Sequence, residues 1–225
     1  MGDQLNMPFH SPMPRRLSAA VALFLAALVG TTACSGGQSP PAPTTAAPVE
    51  STASASPGTT SATPTAAPAY KPADASGRAQ NVPVPVLPEA AKAETKEGLE
   101  AFAKYWYSTL NYAYETGDLT PIGSISDPSC ALCGRVFPGI QKWNADGKWI
   151  IGSTVAVQAA QSKFVRTADG SFQVVIQSQQ QSGSLRNADG TEAQQVQPST
   201  VLGDLMIAKF ANGEWKALNV DRLGS

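Results

Sequence analysis

Residues 35–69 strongly limit what the N-terminal part of this chain can fold into. The segment is almost entirely Pro, Ala, Ser and Thr, and Glu50 is its one charged residue. It has no aromatic residue and no apolar side chain larger than Val49. Such a segment cannot bury enough apolar surface to offset the entropy lost on ordering. We therefore predict a disordered linker over residues 34–87, either O-glycosylated or an unmodified spacer, and one domain over residues 88–225.

Residues 1–33 have the pattern of a secretory signal peptide. Arg15 and Arg16 precede an apolar run over residues 17–29, and small residues follow it. The run is too short for a permanent membrane span, because a helix that crosses the hydrocarbon layer takes about 20 residues. A cleaved signal peptide is therefore favoured.

The end of this segment, Thr31-Thr32-Ala33-Cys34, resembles the lipobox of bacterial lipoproteins, with Thr31 in place of the usual aliphatic residue. The resemblance implies that Cys34 carries palmitate-like acyl chains and becomes the mature N-terminus. The lipid would then hold the chain on the extracytoplasmic face of the cell membrane. The alternative is an ordinary signal peptide cleaved near Ala33. Either cleavage removes His10, the single histidine of the chain.

The remaining sequence changes from helical periodicity to strand alternation near residue 148. The apolar stripe of the helical part consists of Leu99, Phe102, Ala103, Trp106, Leu110 and Ala113. Gly117 is its predicted C-cap. Four strands are predicted, around residues 155–159, 172–176, 201–207 and 215–220. This order predicts an α+β fold in which a long N-terminal helix and short helices pack on a curved four-stranded antiparallel sheet.

Three motifs of the domain occur together in known proteins. They are the aromatic helix from Tyr105 to Tyr114, the turn Thr116-Gly117-Asp118, and the segment 128–133 with its two cysteines. The domain is similar to a family of actinobacterial lipoproteins of unknown function, and its element order resembles the cone-shaped nuclear transport factor 2-like fold. The resemblance implies a fold and a location but supplies no catalytic residues.

Cys130 and Cys133 form a Cys-x-x-Cys motif in a chain predicted to be secreted. A structural disulfide is the favoured interpretation in that oxidising setting. A redox site would require the motif to follow a strand and open a helix. A metal site would require further cysteine or histidine ligands, which the predicted domain lacks.

Composition excludes several classes of function. The chain has 16 Lys and Arg against 17 Asp and Glu, a net charge of -1, so nucleic-acid binding by bulk electrostatics is not expected. Loss of the histidine excludes Ser–His and Cys–His nucleophiles. We expect no metal, no cofactor and no enzymatic activity. The leading hypothesis is a lipid-anchored binding or scaffold domain whose partner is a protein or a cell-wall component.

Asp204 is the residue that favours the alternative, a small-molecule isomerase or dehydratase. It interrupts an apolar strand, where a carboxylate in a pocket would act as a general base. The favoured interpretation is instead a bulge at Gly203 and Asp204 that turns the carboxylate to solvent. Tyr105 and Tyr112 flank the helical stripe, and they either line the mouth of a pocket with Asp204 or lie at the edge of the core.

Glutamines are concentrated in two places, residues 177–181 and positions 194, 195 and 197. They predict an uncharged polar sheet face, either solvated or able to bind hydroxyl and amide groups. A third hypothesis for the whole chain, an extracytoplasmic thiol–disulfide protein, depends on the cysteine pair alone.

Overall fold

The structure is a computed structural model that describes residues 68–224. The predicted signal peptide, Cys34 and most of the predicted linker lie outside these residues. A short 3-10 turn at Glu89–Lys92 precedes helices α1 (Lys96–Thr116), α2 (Thr120–Ser124) and α3 (Ala131–Asn144). The strands are β1 (Trp149–Gly152), β2 (Val155–Gln161), β3 (Phe172–Gln180), β4 (Gly183–Arg186), β5 (Glu192–Val196), β6 (Leu202–Ala211) and β7 (Glu214–Arg222).

Helix α1 is bounded by a cap at each end. The Thr95 hydroxyl accepts a hydrogen bond from the Gly98 backbone N–H, which satisfies one of the free donors of the first turn. Gly117 ends the helix at φ 79°, a left-handed conformation that glycine adopts without steric cost. The buried face of α1 packs mainly against β2, with β1 and β3 alongside. It therefore supplies the helical side of the core.

The strands form two antiparallel sheets, of three strands in the order β1-β4-β5 and four in the order β2-β3-β6-β7. The sequence predicted the four strands of the larger sheet but not the smaller sheet. Gly152 and Gly183 mark where the chain passes between the two. A side chain on Gly183 would collide with the Ser153 hydroxyl and the Ile151 carbonyl, so the two segments approach closely only because a glycine is present.

The core lies between the helices and the inward faces of the sheets. Its largest fully buried side chains are Trp106, Tyr107, Tyr114, Phe102, Leu99, Leu110, Ile122, Leu132, Ile140, Ile150, Ile176 and Leu185. Helices α1 to α3 and the inward residues of β1, β3 and β4 all contribute to this set. One continuous apolar cluster therefore joins the helices to both sheets.

Residues 68–87, assigned to the linker by composition, contact the domain. Lys71 and Gln80 pair as a short bridge, and the Trp149 indole N–H donates to the Asp74 carbonyl at 2.9 Å. Arg78 donates to the carbonyls of Asn144, the last residue of α3, and of Lys148, just before β1. A cation at this position also complements the helix dipole. The packed part of the chain therefore extends N-terminal to the predicted boundary at residue 88, through contacts that composition does not reveal.

We expect Arg78→Ala to lower the free energy of unfolding by about 1–3 kcal/mol, because it leaves the carbonyls of Asn144 and Lys148 without their donor. Lys71→Ala is the matched control, since its ion pair with Asp74 is exposed and should change stability by less than about 0.5 kcal/mol. Urea unfolding followed by circular dichroism measures both. Equal midpoints for the two variants would contradict a stabilising role for this segment.

Candidate functional site

Asp204 lies on β6 with its side chain in the core, and its exposed fraction is 0%. Three donors from three different elements surround the carboxylate. The Tyr107 hydroxyl of α1 and the Ser178 hydroxyl of β3 donate to Oδ2 at 2.6 and 2.5 Å. The Arg222 Nε of β7 donates to Oδ1 at 3.0 Å. The carboxylate therefore joins α1 to three neighbouring parts of the sheet.

Strand register explains this burial and corrects the predicted bulge. The pairing of β3 with β6 runs from Phe172 to Ser178 without a shift, so Asp204 keeps the inward orientation of Met206, two residues along. Arg222 lies directly across from Asp204 on β7. The interpretation in which Gly203 and Asp204 turn the carboxylate to solvent is therefore wrong.

The surroundings of Asp204 keep the Tyr107 phenol neutral. The Tyr107 hydroxyl therefore retains its proton and donates it in the hydrogen bond to Asp204. Burial raises the pKa of Tyr107 well above its ordinary value, and the negative charge of Asp204 raises it further. The guanidinium of Arg222 compensates the buried carboxylate charge. The Tyr107 and Ser178 hydroxyls occupy further acceptor sites of the carboxylate, and removal of one partner of such a buried ion pair is strongly destabilising.

We expect Tyr107 to ionise only when the domain unfolds. Because its folded pKa is raised above the ordinary value of 10.0, its contribution to stability is complete below about pH 10 and is lost as the pH rises further. Burial also raises the pKa of Tyr114. After a jump to alkaline pH, phenolate absorbance should therefore include a slow phase at the unfolding rate. Tyr107→Phe should remove about half of that phase, since two phenols supply it. Immediate ionisation of all five tyrosines would contradict this arrangement.

Tyr105 and Tyr112 are half-buried. The Tyr105 hydroxyl reaches the Pro85 carbonyl at 3.5 Å, and the three donors that surround Asp204 include neither of these tyrosines. Neither tyrosine is therefore in hydrogen-bonding contact with Asp204. The tyrosine that does contact Asp204 is Tyr107, two residues after Tyr105 on α1.

Cys130 and Cys133 are joined at an Sγ–Sγ distance of 2.10 Å. Cys130 is the N-cap of α3, and its sulfur accepts a hydrogen bond from the Cys133 N–H. The exposed fractions of the two residues are only 1% and 4%. Thiol exchange requires an accessible sulfur, so this pair is suited to fixing the start of α3 rather than to redox chemistry.

The glutamines do not form one sheet face. Gln177 and Gln179 lie on β3 with outward side chains, whereas Gln180 is buried. Gln194 and Gln195 lie on β5, in the other sheet. The prediction of a single glutamine-rich face is therefore wrong, because it assumed one sheet.

An open groove of about 940 Å³ lies where α1 begins and β2 ends. It is lined by Lys96, Glu100, Ala160, Gln161, Ser162, Lys163, Phe164, Val165, Gln173 and Val175. Val165 is 68% exposed and Val175 is 46% exposed, so apolar surface remains open to solvent. Sequence patterns did not indicate this groove, because it brings together the start of α1, a loop and the outer face of β3.

The loop that forms one wall of the groove is held in a specific shape. Phe164 has φ 52°, which is unusual for a residue with a side chain. The Ser162 hydroxyl accepts from the Phe164 N–H at 2.9 Å and donates to the Gln173 carbonyl at 2.6 Å. The Phe164 ring stacks on Phe172 with centroids 4.4 Å apart. Strained backbone that is held this firmly is common at binding sites.

Metal binding and membrane crossing have no structural support within residues 68–224. Over that range, no group of three or more His, Cys, Asp or Glu side chains is arranged to hold a metal ion. Over the same range, no helix combines the length and apolar character needed to cross a membrane.

Residues 68–221 match the sequence model of a family described as "Family of unknown function (DUF6318)". The chain belongs to this family. The match begins at residue 68 and so includes the segment that Arg78 and Asp74 attach to the domain. The family therefore shares a domain that is larger than the one predicted from composition.

Two solved structures are similar to this member of the family. The intermembrane space region of chloroplast protein ARC6 is 11% identical, with a TM-score of 0.40, and the match covers 58% of this chain and 98% of that chain. Aln2 from a Streptomyces species is 8% identical, with a TM-score of 0.34, and the match covers 53% and 85% of the two chains. No curated protein matches the chain.

Proposed function

We propose that this protein is a non-enzymatic binding domain, anchored by lipid at Cys34 to the extracytoplasmic face of the cell membrane. The signal-like residues 1–33 and the linker that follows them support this location. The partner would be a protein or a cell-wall component held outside the membrane. We further infer that the larger sheet curves around α1 as in the cone-shaped nuclear transport factor 2-like fold, which the packing of α1 on β2 and β3 supports.

The observation that carries the proposal is the contrast between Asp204 and the groove. A general base must reach the proton that it removes, within hydrogen-bonding distance of the substrate. Asp204 is enclosed and already accepts three hydrogen bonds. The groove, in contrast, is open and combines apolar and polar surface, as binding sites do.

Site-specific photo-crosslinking tests whether the groove binds a partner. Benzoylphenylalanine at Val165 should give a discrete adduct in intact cells. The same residue at Val86, which is exposed outside the groove lining, is the matched control and should give none. Absence of an adduct at Val165, or equal adducts at the two sites, would contradict binding at the groove.

Metabolic labelling tests the proposed anchor independently of the groove. A palmitate analogue should label the wild-type protein, and Cys34→Ala should be unlabelled and released into the medium. Equal labelling of the two proteins would contradict acylation at Cys34.

A further inference from the structure

The lining of the groove has more positive than negative side chains. Lys96 and Lys163 supply two cations, and the single acid, Glu100, is already engaged. The Glu100 carboxylate accepts from the Ser162 backbone N–H at 2.9 Å and lies 3.8 Å from the Lys96 ammonium. Within residues 68–224, Lys163 forms no ion pair. The groove lining therefore carries a net positive charge beside exposed apolar side chains.

The groove lies at the edge of the larger sheet. Gln161 and Val175 are paired in register on the two strands that border it, and Val165 continues the apolar surface beyond the end of β2. Strand β2 is an edge of the larger sheet, and an extended peptide can add to a sheet edge as a further strand. At its far end the Asn111 amide binds both the N–H and the carbonyl of Val155, which closes that part of the edge.

The groove also lies far from the point where the chain enters the domain. At the entry, the Tyr70 hydroxyl donates to Glu115 at the C-terminal end of α1. The groove contains Lys96 and Glu100 from the opposite end of the same helix. With a rise of 1.5 Å per residue, the two places are separated by about 25 Å along the helix. The groove and the entry of the chain therefore lie toward opposite ends of α1.

From the net positive charge of the groove and its position at the edge strand β2, we propose that the groove binds an extended acidic peptide segment of a partner. Its carboxylates would pair with Lys96 and Lys163, and its apolar side chains would lie on Val165 and Val175. The preformed loop at Phe164 lowers the ordering cost of this contact. The proposal rests on the groove being the binding surface of the proposed function, and it adds the chemistry of the ligand.

Fluorescence anisotropy with labelled six-residue peptides tests this chemistry on the full chain in nonionic detergent. A peptide of alternating Glu and Val should bind, and one of alternating Lys and Val should not. Lys163→Glu should weaken binding of the acidic peptide about tenfold, because it replaces an electrostatic attraction with a repulsion. Lys104→Glu, on the exposed face of α1, is the charge-matched control and should change affinity less than about twofold. Val165→Ser should also weaken binding, and Val201→Ser, an exposed valine outside the groove lining, should not.

Equal affinity for the two peptides, no binding of the acidic peptide, or an unchanged affinity in Lys163→Glu would each overturn the proposal. Vesicles containing phosphatidylglycerol test whether the negatively charged ligand of the groove is a lipid headgroup rather than a peptide. Vesicle binding by Cys34→Ala protein that is lost in the additional Lys163→Glu variant would assign the groove to lipid and overturn the proposal. A Val165 adduct without peptide binding would leave the proposed function standing and reject only the ligand class.

Discussion

Asp204→Ala should lower the free energy of unfolding by about 3–5 kcal/mol, the range measured when one partner of a buried ion pair is removed. The substitution leaves the Arg222 guanidinium without its carboxylate and the buried Tyr107 and Ser178 hydroxyls without their acceptor. Urea unfolding monitored by tryptophan fluorescence measures the loss. The free energy of unfolding of Asp204→Asn should lie between those of the wild type and Asp204→Ala, because an amide keeps one acceptor but not the charge.

Asp221→Ala is the matched control for this prediction. Asp221 lies on β7 and pairs with Arg135, but both side chains are substantially exposed. Exposed pairs contribute about 0–1 kcal/mol, so this variant should unfold close to the wild type. Similar losses from Asp204→Ala and Asp221→Ala would show that the buried carboxylate does not hold α1 to the sheet.

Trp106→Ala should destabilise the domain by about 3–5 kcal/mol, as truncation of a buried aromatic residue does. Trp106 is fully buried on α1, and its indole N–H donates to the buried Ser126 hydroxyl at 2.7 Å. Its ring also meets Tyr107 edge to face, with centroids 5.0 Å apart. The alanine variant creates a cavity and removes the donor to Ser126. Thermal unfolding by circular dichroism should show a much lower midpoint.

Trp143→Ala provides the comparison for Trp106→Ala. Trp143 is only half-buried near the end of α3, where the Lys148 ammonium lies 5.7 Å from its ring centroid. Truncation of Trp143 removes less buried surface. Trp143→Ala should therefore lower the free energy of unfolding by less than half as much as Trp106→Ala. A midpoint for Trp106→Ala within a degree or two of the wild type would contradict the orientation of α1.

The apolar stripe of α1 could be predicted because it depends on local spacing. Trp106, Leu110 and Ala113 recur on one helical face, and all three are fully buried. Gly117 marked the end of the helix by its freedom to adopt positive φ. Such features require only neighbouring residues and therefore appear in a single sequence.

The environment of Asp204 could not be predicted in the same way. Its partners lie 97, 26 and 18 residues away along the chain, and only the fold brings them together. A carboxylate on an apolar strand is costly unless such partners exist, so the sequence alone favoured exposure. The register of β3, β6 and β7 was the missing information.

The smaller sheet and the groove were missed for related reasons. Strands β1 and β4 have four residues each, too few for a clear alternation. The groove depends on Lys96 and Val175, which belong to a helix and a strand that are distant in sequence. Surface shape of this kind follows from tertiary packing rather than from local pattern.

The most direct test of binding at the groove is an NMR titration of the isotopically labelled protein with the peptide of alternating Glu and Val. The backbone amides of residues 162–165 and of Gln173 and Val175 should shift in a saturable way. The amides of Tyr107, Ser178 and Asp204 should stay in place, because their network is enclosed and complete. Shifts centred on Tyr107, Ser178 and Asp204, with none at the groove, would contradict this account and place the binding site at the buried carboxylate.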